Sequence, residues 1–285
     1  MAFLNADSYS DLSGHSAEGG GAREKGLFTK VFISSSPRGE QLPGHMHAIS
    51  EWGEGDIPEN FLFVNKREVY FLPMFIKKVR ELVETNPVTD RRSLRWFSYS
   101  PDEDVEYPTG AKVSYIIAGA LLNEKFEKVP DAEDPERAAF IHFKANGVKV
   151  GKIIDYLKIL NEKYNDIDRL CGDDQASFEK AVVMPRRFIT KASVTTAPTS
   201  FGDRYVFQIE PHKQLPNEVV KDVMDKSLQW LEPFDKQFDM SGYVKTSSQD
   251  EEGSSSSDRM PTFDDSPSTN NDTTDTTDVD LTGVL

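Results

Sequence analysis

The sequence predicts an α+β protein that is mainly β: an OB-like curved sheet or barrel with two or three packed helices and disordered termini. Three observations predict it. Short runs rich in β-branched and aromatic residues recur between positions 27 and 209 and give about seven strands. Only two long stretches repeat apolar residues at helical spacing, and both come late, so strands and helices do not alternate as in a parallel βαβ fold. Both ends are polar: residues 1–26 hold Gly19, Gly20 and Gly21 in a row, and residues 246–285 are dominated by Ser, Thr and Asp. The expected organisation is a flexible arm over 1–26, a binding domain over 27–245 and a disordered acidic tail over 246–285.

Taken in order, residues 27–34 read as a strand, and 37–59 scatter Gly, Pro and His around Trp52 without a period, which reads as loop. Two runs, 61–64 and 69–75, are joined by Asn65-Lys66-Arg67-Glu68 and predict a hairpin, with Pro73 placing the second run at a sheet edge. Ile76, Val79, Leu82 and Val83 fit a short helix or a continued strand, which Asn86-Pro87 ends. Residues 91–99 form a strand, 101–108 an acidic turn, 111–122 a buried strand and 129–136 an acidic loop. Another strand covers 138–144, and Asn146-Gly147 is a turn signal. Ile153, Leu157, Leu160 and Tyr164 mark one helix face; Val220, Met224, Leu228 and Leu231 mark a second, opened by Pro216-Asn217 and disturbed by Pro233. Between the helices lie strands over 186–195 and 204–209, separated by a loop with Pro198 and Gly202.

The net charge is −15, yet residues 246–285 set ten acids against Arg259 and so hold −9 of it, leaving −6 on the first 245 residues. The acidity is mostly tail. Cys171 stands alone, which excludes an intramolecular disulfide and a Cys-x-x-Cys zinc site and fits a reducing cytoplasm. The start lacks a basic region ahead of an apolar core, and no apolar run approaches the roughly 20 residues that span a bilayer, so the expectation is a soluble cytoplasmic protein without membrane partners. No phosphate-binding Gly-x-x-x-x-Gly-Lys-Ser/Thr loop and no Gly-x-Gly-x-x-Gly turn is present. His45 and His47 form a pair without a third ligand near in sequence, and Asp102, Glu103, Asp104 and Glu106 sit between prolines as a solvated loop. The expectation is therefore a binding protein: no enzyme, no cofactor, no metal.

Binding is where the residues repeat themselves. In Arg91-Arg-Ser-Leu-Arg-Trp-Phe-Ser-Tyr99, strand alternation puts Arg91, Arg95, Phe97 and Tyr99 on one face and Leu94 and Trp96 on the other. Arginine neutralises phosphate and aromatic faces stack on any base, so single-stranded nucleic acid suits such a strand. The same grammar returns in Arg186, Arg187, Phe188 and Lys191, in Phe143, Lys144 and Lys149, and in Arg204, Tyr205 and Phe207. Lys77, with Lys78 and Arg80, adds cations to the run after Pro73. Arg91, Arg95, Lys144, Lys149, Arg186, Arg187, Lys191 and Lys77 are the expected phosphate contacts. Phe97, Tyr99, Phe143, Tyr205 and Phe207 are the expected aromatic contacts, all lining one trough.

The tail ends Asp278-Val-Asp280-Leu281-Thr-Gly-Val284-Leu285, so apolar residues return only at its tip. A sheet-rich body with basic-aromatic strands and an acidic tail of this kind resembles the single-stranded DNA-binding proteins of bacteria and of T7-like bacteriophages. The resemblance covers architecture and some 40 tail residues; those tails end in Phe, whereas this one ends in Leu with its acids spaced by Thr. It implies an OB-fold that binds single-stranded DNA with little sequence preference during replication, recombination or repair, with RNA as the other substrate to test. It also implies a tail that competes with DNA and recruits replication or recombination proteins through Asp278, Asp280, Leu281, Val284 and Leu285. The alternative is a non-enzymatic protein-interaction or virion-structural protein.

Overall fold

A computed structural model describes residues 27–37, 41–49, 61–85, 92–99, 107–131, 134–162, 176, 178–200, 202–238 and 240–241. The expectations for 1–26, for 246–285 and for Trp52, Arg91, Asp102, Tyr164 and Cys171 lie outside these residues.

Everything is arranged on one strand of 18 residues, β4 (Glu68–Thr85). Its first half pairs with β8 (Phe188–Ala197) and its second half with β5 (Arg92–Ser98), while β6 (Lys112–Leu122) runs along its other edge. From β6 the sheet continues through β7 (Phe140–Asn146), β1 (Phe28–Ile33), β2 (Met46–Ile49) and β3 (Phe61–Lys66), and curls into a half-barrel. The hairpin of β8 with β9 (Arg204–Gln214) branches from the first half of β4, and the short β10 (Met240–Ser241) lies parallel to β5. The described residues thus form the expected mainly β, α+β fold with a curved sheet.

Helices cover the sheet. A π-helical turn (Glu179–Val183) running into α2 (Met184–Arg186), with α3 (Asn217–Gln229) and α4 (Leu231–Phe238), packs on one face, which we call the helix face. Val220, Val223 and Met224 of α3 and Phe234 and Phe238 of α4 follow helical spacing and are all buried. Phe234 stacks on Phe75 at 4.3 Å and meets Phe28 edge-on at 5.4 Å. Each such ring contributes roughly 1.5–3 kcal/mol of burial. Pro233 falls in the first turn of α4, where a missing N–H is tolerated, so the proline starts a new helix after Trp230 rather than disturbing α3. On the opposite face, Ile153, Tyr156 and Leu160 of α1 (Lys149–Glu162) pack with Phe71, Phe143, Phe207 and Ile209 in a second core.

Several expectations change. Residues 37–59 contain β2, and β3 pairs with β2 instead of forming a hairpin with β4. The chain turns the corner between β3 and β4 at Arg67, next to Asn65 in the left-handed region (φ 55°). Asn146-Gly147 leads into α1, with Val150 N–H donating to the Gly147 carbonyl at 3.0 Å. Residues 76–83 continue the strand. Pro73 does stand at a local edge, because β8 pairs with β4 only over Glu68–Phe71 and β5 only over Val79–Thr85, leaving Pro73 paired on one side alone, to Gly119 of β6; β4 then bulges between Pro73 and Phe75. Opposite Pro73 stands Gly119, where a Cβ would come within 2.0 Å of the Leu72 carbonyl oxygen. Both Met74 and Phe75 then bury on the helix face, and the Met74 carbonyl accepts a hydrogen bond from Arg186.

Candidate nucleic-acid interface

The bulge decides which cations of β4 face which way. Ladder partners share a face, so Phe75, Lys77, Val79 and Glu81 join Ala118, Ile116 and Ser114 on the helix face. Lys78 and Arg80 join Tyr115 and Val113 on the other, together with Phe97 of β5. Past Ile76 and Tyr115, at the border of the second core, that face carries a basic-aromatic patch. The Lys78 ammonium sits 3.6 Å from the centre of the Tyr99 ring, and the Arg80 guanidinium lies 5.7 Å from Tyr99 and 5.1 Å from Tyr107. All four side chains are half-buried. Arg80 Nε is buried and meets no acceptor among the described residues. Cations over ring faces leave guanidinium and ammonium edges for phosphate, and the rings present further surface to a base.

Of the expected contacts, Tyr99 is in this patch. Phe97 is its neighbour on the same face but only 6% exposed, so it supports the patch from below. Arg95 pairs with Leu82 in the same ladder. Arg91 lies outside the described residues.

Among the described residues, the expected contacts do not line a single trough. Phe143 and Phe207 meet edge-on at 5.0 Å inside the second core, because β7 and β9 turn these rings inward under α1. Arg186 and Arg187 are buried too; the strand expected from residue 186 begins at Phe188, and the two arginines end a helical turn under the sheet. Arg187 bonds Glu179 at 3.3 Å and Asn217 at 2.8 Å. Arg186 donates to the carbonyls of Val182 and Met74 and to Ser227 Oγ; full burial pulls its guanidinium down to about 9. Lys77 is on the helix face, where burial, partly offset by Asp235, holds its ammonium below the usual lysine range.

The remaining expected residues disperse. Lys191 pairs with Glu68 at 3.3 Å, at the far end of β4. Tyr205 is 41% exposed, but its ring covers Gly44, where a Cβ would come within 2.8 Å of it. Lys144 donates to Glu81 at 2.7 Å on the helix face, with its ammonium 5.5 Å from the Trp96 ring. Lys149 opens α1, 5.2 Å from the Phe207 ring. His45 and His47 flank Met46 at the start of β2; His45 Nε2 accepts from Arg67 Nε at 3.2 Å. The tail residues Asp278, Asp280, Leu281, Val284 and Leu285 lie outside the described residues.

Lys78, Arg80 and Tyr107 are the patch residues that the basic-aromatic grammar alone does not single out. The signal available was the Lys-Lys-Val-Arg run of 77–80, whose facing depends on the bulge at Met74. Comparison with known protein families, with curated proteins and with solved structures finds no match. Among the described residues, no helix is long and apolar enough to cross a membrane.

Proposed function

We propose that this chain binds single-stranded DNA with little sequence preference, through the face of β4, β5 and β6 that carries Lys78, Arg80, Tyr99 and Tyr107. The observation that carries the reading is the contact of two cations with two tyrosine rings on one sheet face, with the Arg80 Nε donor still unmatched. Sequence-tolerant binders of single strands combine these two elements, phosphate neutralisation and base stacking. Recognition of this kind requires no bond to be made or broken. The reading places the protein in the cytoplasm, in DNA replication, recombination or repair, with the acidic segment 246–285 as competitor for the patch and as contact for replication or recombination proteins.

The test is anisotropy of labelled oligo-dT, oligo-rU and a duplex of equal length, titrated with the full chain at low and moderate salt. Saturable binding of dT that weakens steeply with salt, with the duplex bound more weakly, supports the reading. Comparable dT and rU affinities widen it to RNA. No dT binding at low salt overturns it and favours a protein-interaction or virion-structural role.

A further inference from the structure

Across the sheet from Tyr99, the helix face carries a second group of cations. Strands β1 and β7 run parallel with Lys30 paired to His142, so Lys30 and Lys144 stand on one face of neighbouring strands, two positions out of step. Lys149 follows just beyond the end of β7; its ammonium is 5.2 Å from the Phe207 ring of the second core and still feels Lys30 and Lys144 of the helix face, which puts it at the rim between the two. Facing them is Glu81, which accepts from Lys144 at 2.7 Å and from Ser114 Oγ at 3.0 Å. The Glu81 charge also acts on Lys30, while Lys149 feels the positive charges of Lys30 and Lys144. Lys30 and Lys144 therefore share one carboxylate, and Lys149 adds a third positive charge beside them. Lys30 is exposed and Lys149 half-buried; partial burial first, and then the charge of Lys144, joined for Lys149 by that of Lys30, hold both ammoniums below the ordinary lysine range. An anion placed among them relieves both penalties.

We infer that Lys30, Lys144 and Lys149 form a phosphate-holding subsite on the rim of the sheet, which takes the strand leaving the Tyr99 patch and leads it onto the opposite face. The inference rests on the single-strand reading proposed above. Strand β7 is two places from β4, a lateral step of about 10 Å at the usual strand spacing, and the rest of the path runs over the rim from one face to the other. Lys144 has a double duty, because it also neutralises Glu81.

The test compares the full chain with the Lys30→Gln/Lys149→Gln variant, leaving Lys144 in place. The readout is the salt dependence of anisotropy for an oligo-dT long enough to cover both faces. Loss of two phosphate contacts should flatten the slope of log K against log salt by about 1.4, which over a fourfold salt range is about a sevenfold smaller loss of affinity. The unfolding midpoint should be unchanged. An unaltered slope, while Lys78→Gln still flattens it, overturns the rim subsite and leaves the single-strand reading standing. Absence of oligo-dT binding by the unmodified chain overturns both. If the double variant loses binding of inorganic polyphosphate but keeps the dT slope, the lysines hold a free anion and the strand path is wrong.

Discussion

Pro73 and Gly119 face each other across β4 and β6, and Gly119 cannot be exchanged without β4 giving way. The proline supplies no N–H to the ladder, the strand bulges after it, and β6 comes so close that a Cβ at 119 would stand 2.0 Å from the Leu72 carbonyl oxygen. The phase of everything downstream in β4, including the facing of Lys78 and Arg80, is set at this point.

Gly119→Ala should therefore be severely destabilising, by about 3 kcal/mol or more, since backbone and not a flexible side chain must move. Gly151→Ala, in α1 with open space around it, should be neutral or stabilising by up to about 1 kcal/mol. Urea unfolding of the two variants checks the contrast; equal effects would refute the close approach.

Arg186→Met should cost about 3 kcal/mol, because it leaves the Met74 and Val182 carbonyls buried without donors. The same readout decides, and a neutral variant would show that the bulge does not need its capping guanidinium.

His142 is fully buried, donates to the Phe28 carbonyl at 2.7 Å and meets Phe238 edge-on at 4.9 Å. Burial, with Lys30 and Lys144 adding to it, lowers its pKa from 6.5 to about 4. The fold keeps it neutral, while the unfolded chain takes up a proton below 6.5, so its contribution is full above that pH. That contribution is lost as pH falls from 6.5 towards 4, by about 3 kcal/mol. His142→Asn, which can still donate to Phe28, should flatten the acid limb of a stability-versus-pH curve; an unchanged limb would refute the assignment.

Tyr99→Ala should weaken oligo-dT binding by about 1–3 kcal/mol, the range for losing one stacking platform. Phe143→Ala and Phe207→Ala should act on stability instead, by about 3–5 kcal/mol, because both rings are core. Anisotropy and denaturation measured on the same three variants separate the two effects.

Removal of residues 246–285 should tighten apparent binding of oligo-dT, most at low salt where charge is least screened. Strand β10 places Ser241 against Phe97, and residue 246 is five positions on, a reach of at most about 18 Å. The −9 segment is thus tethered beside the patch, and weaker or unchanged binding after its removal would count against competition.

Much of the architecture is legible in the sequence because periodicity and burial agree there. The run 111–122, apolar but for Lys112 and Ser114, forms a strand covered on both faces from Ile116 onward; Pro216-Asn217 opens α3 where expected; Val220 and Met224 face inward. Strand pairing is not legible, since nothing in 61–75 reveals that β3 prefers β2 over β4. The basic-aromatic grammar finds Tyr99, yet it cannot distinguish Arg186 and Arg187, which hold buried carbonyl and carboxylate groups, from arginines aimed at a ligand. Lys77 illustrates the subtler difficulty: one extra residue at Met74 exchanges the destinations of two adjacent lysines.

Adjacent side chains on β5 also report on different things. Trp96 packs on Phe238 of α4, whereas Phe97 supports the tyrosine patch, and Trp230 likewise lies on the helix face against Phe140. Indole emission from these two positions is therefore a gauge of whether the C-terminal helices are docked. An optical signal for engagement of the Tyr99 patch has to come from the tyrosines, or from a fluorophore carried by the oligonucleotide, whereas Trp96, 5.5 Å from the Lys144 ammonium, would also sense an anion held at the rim.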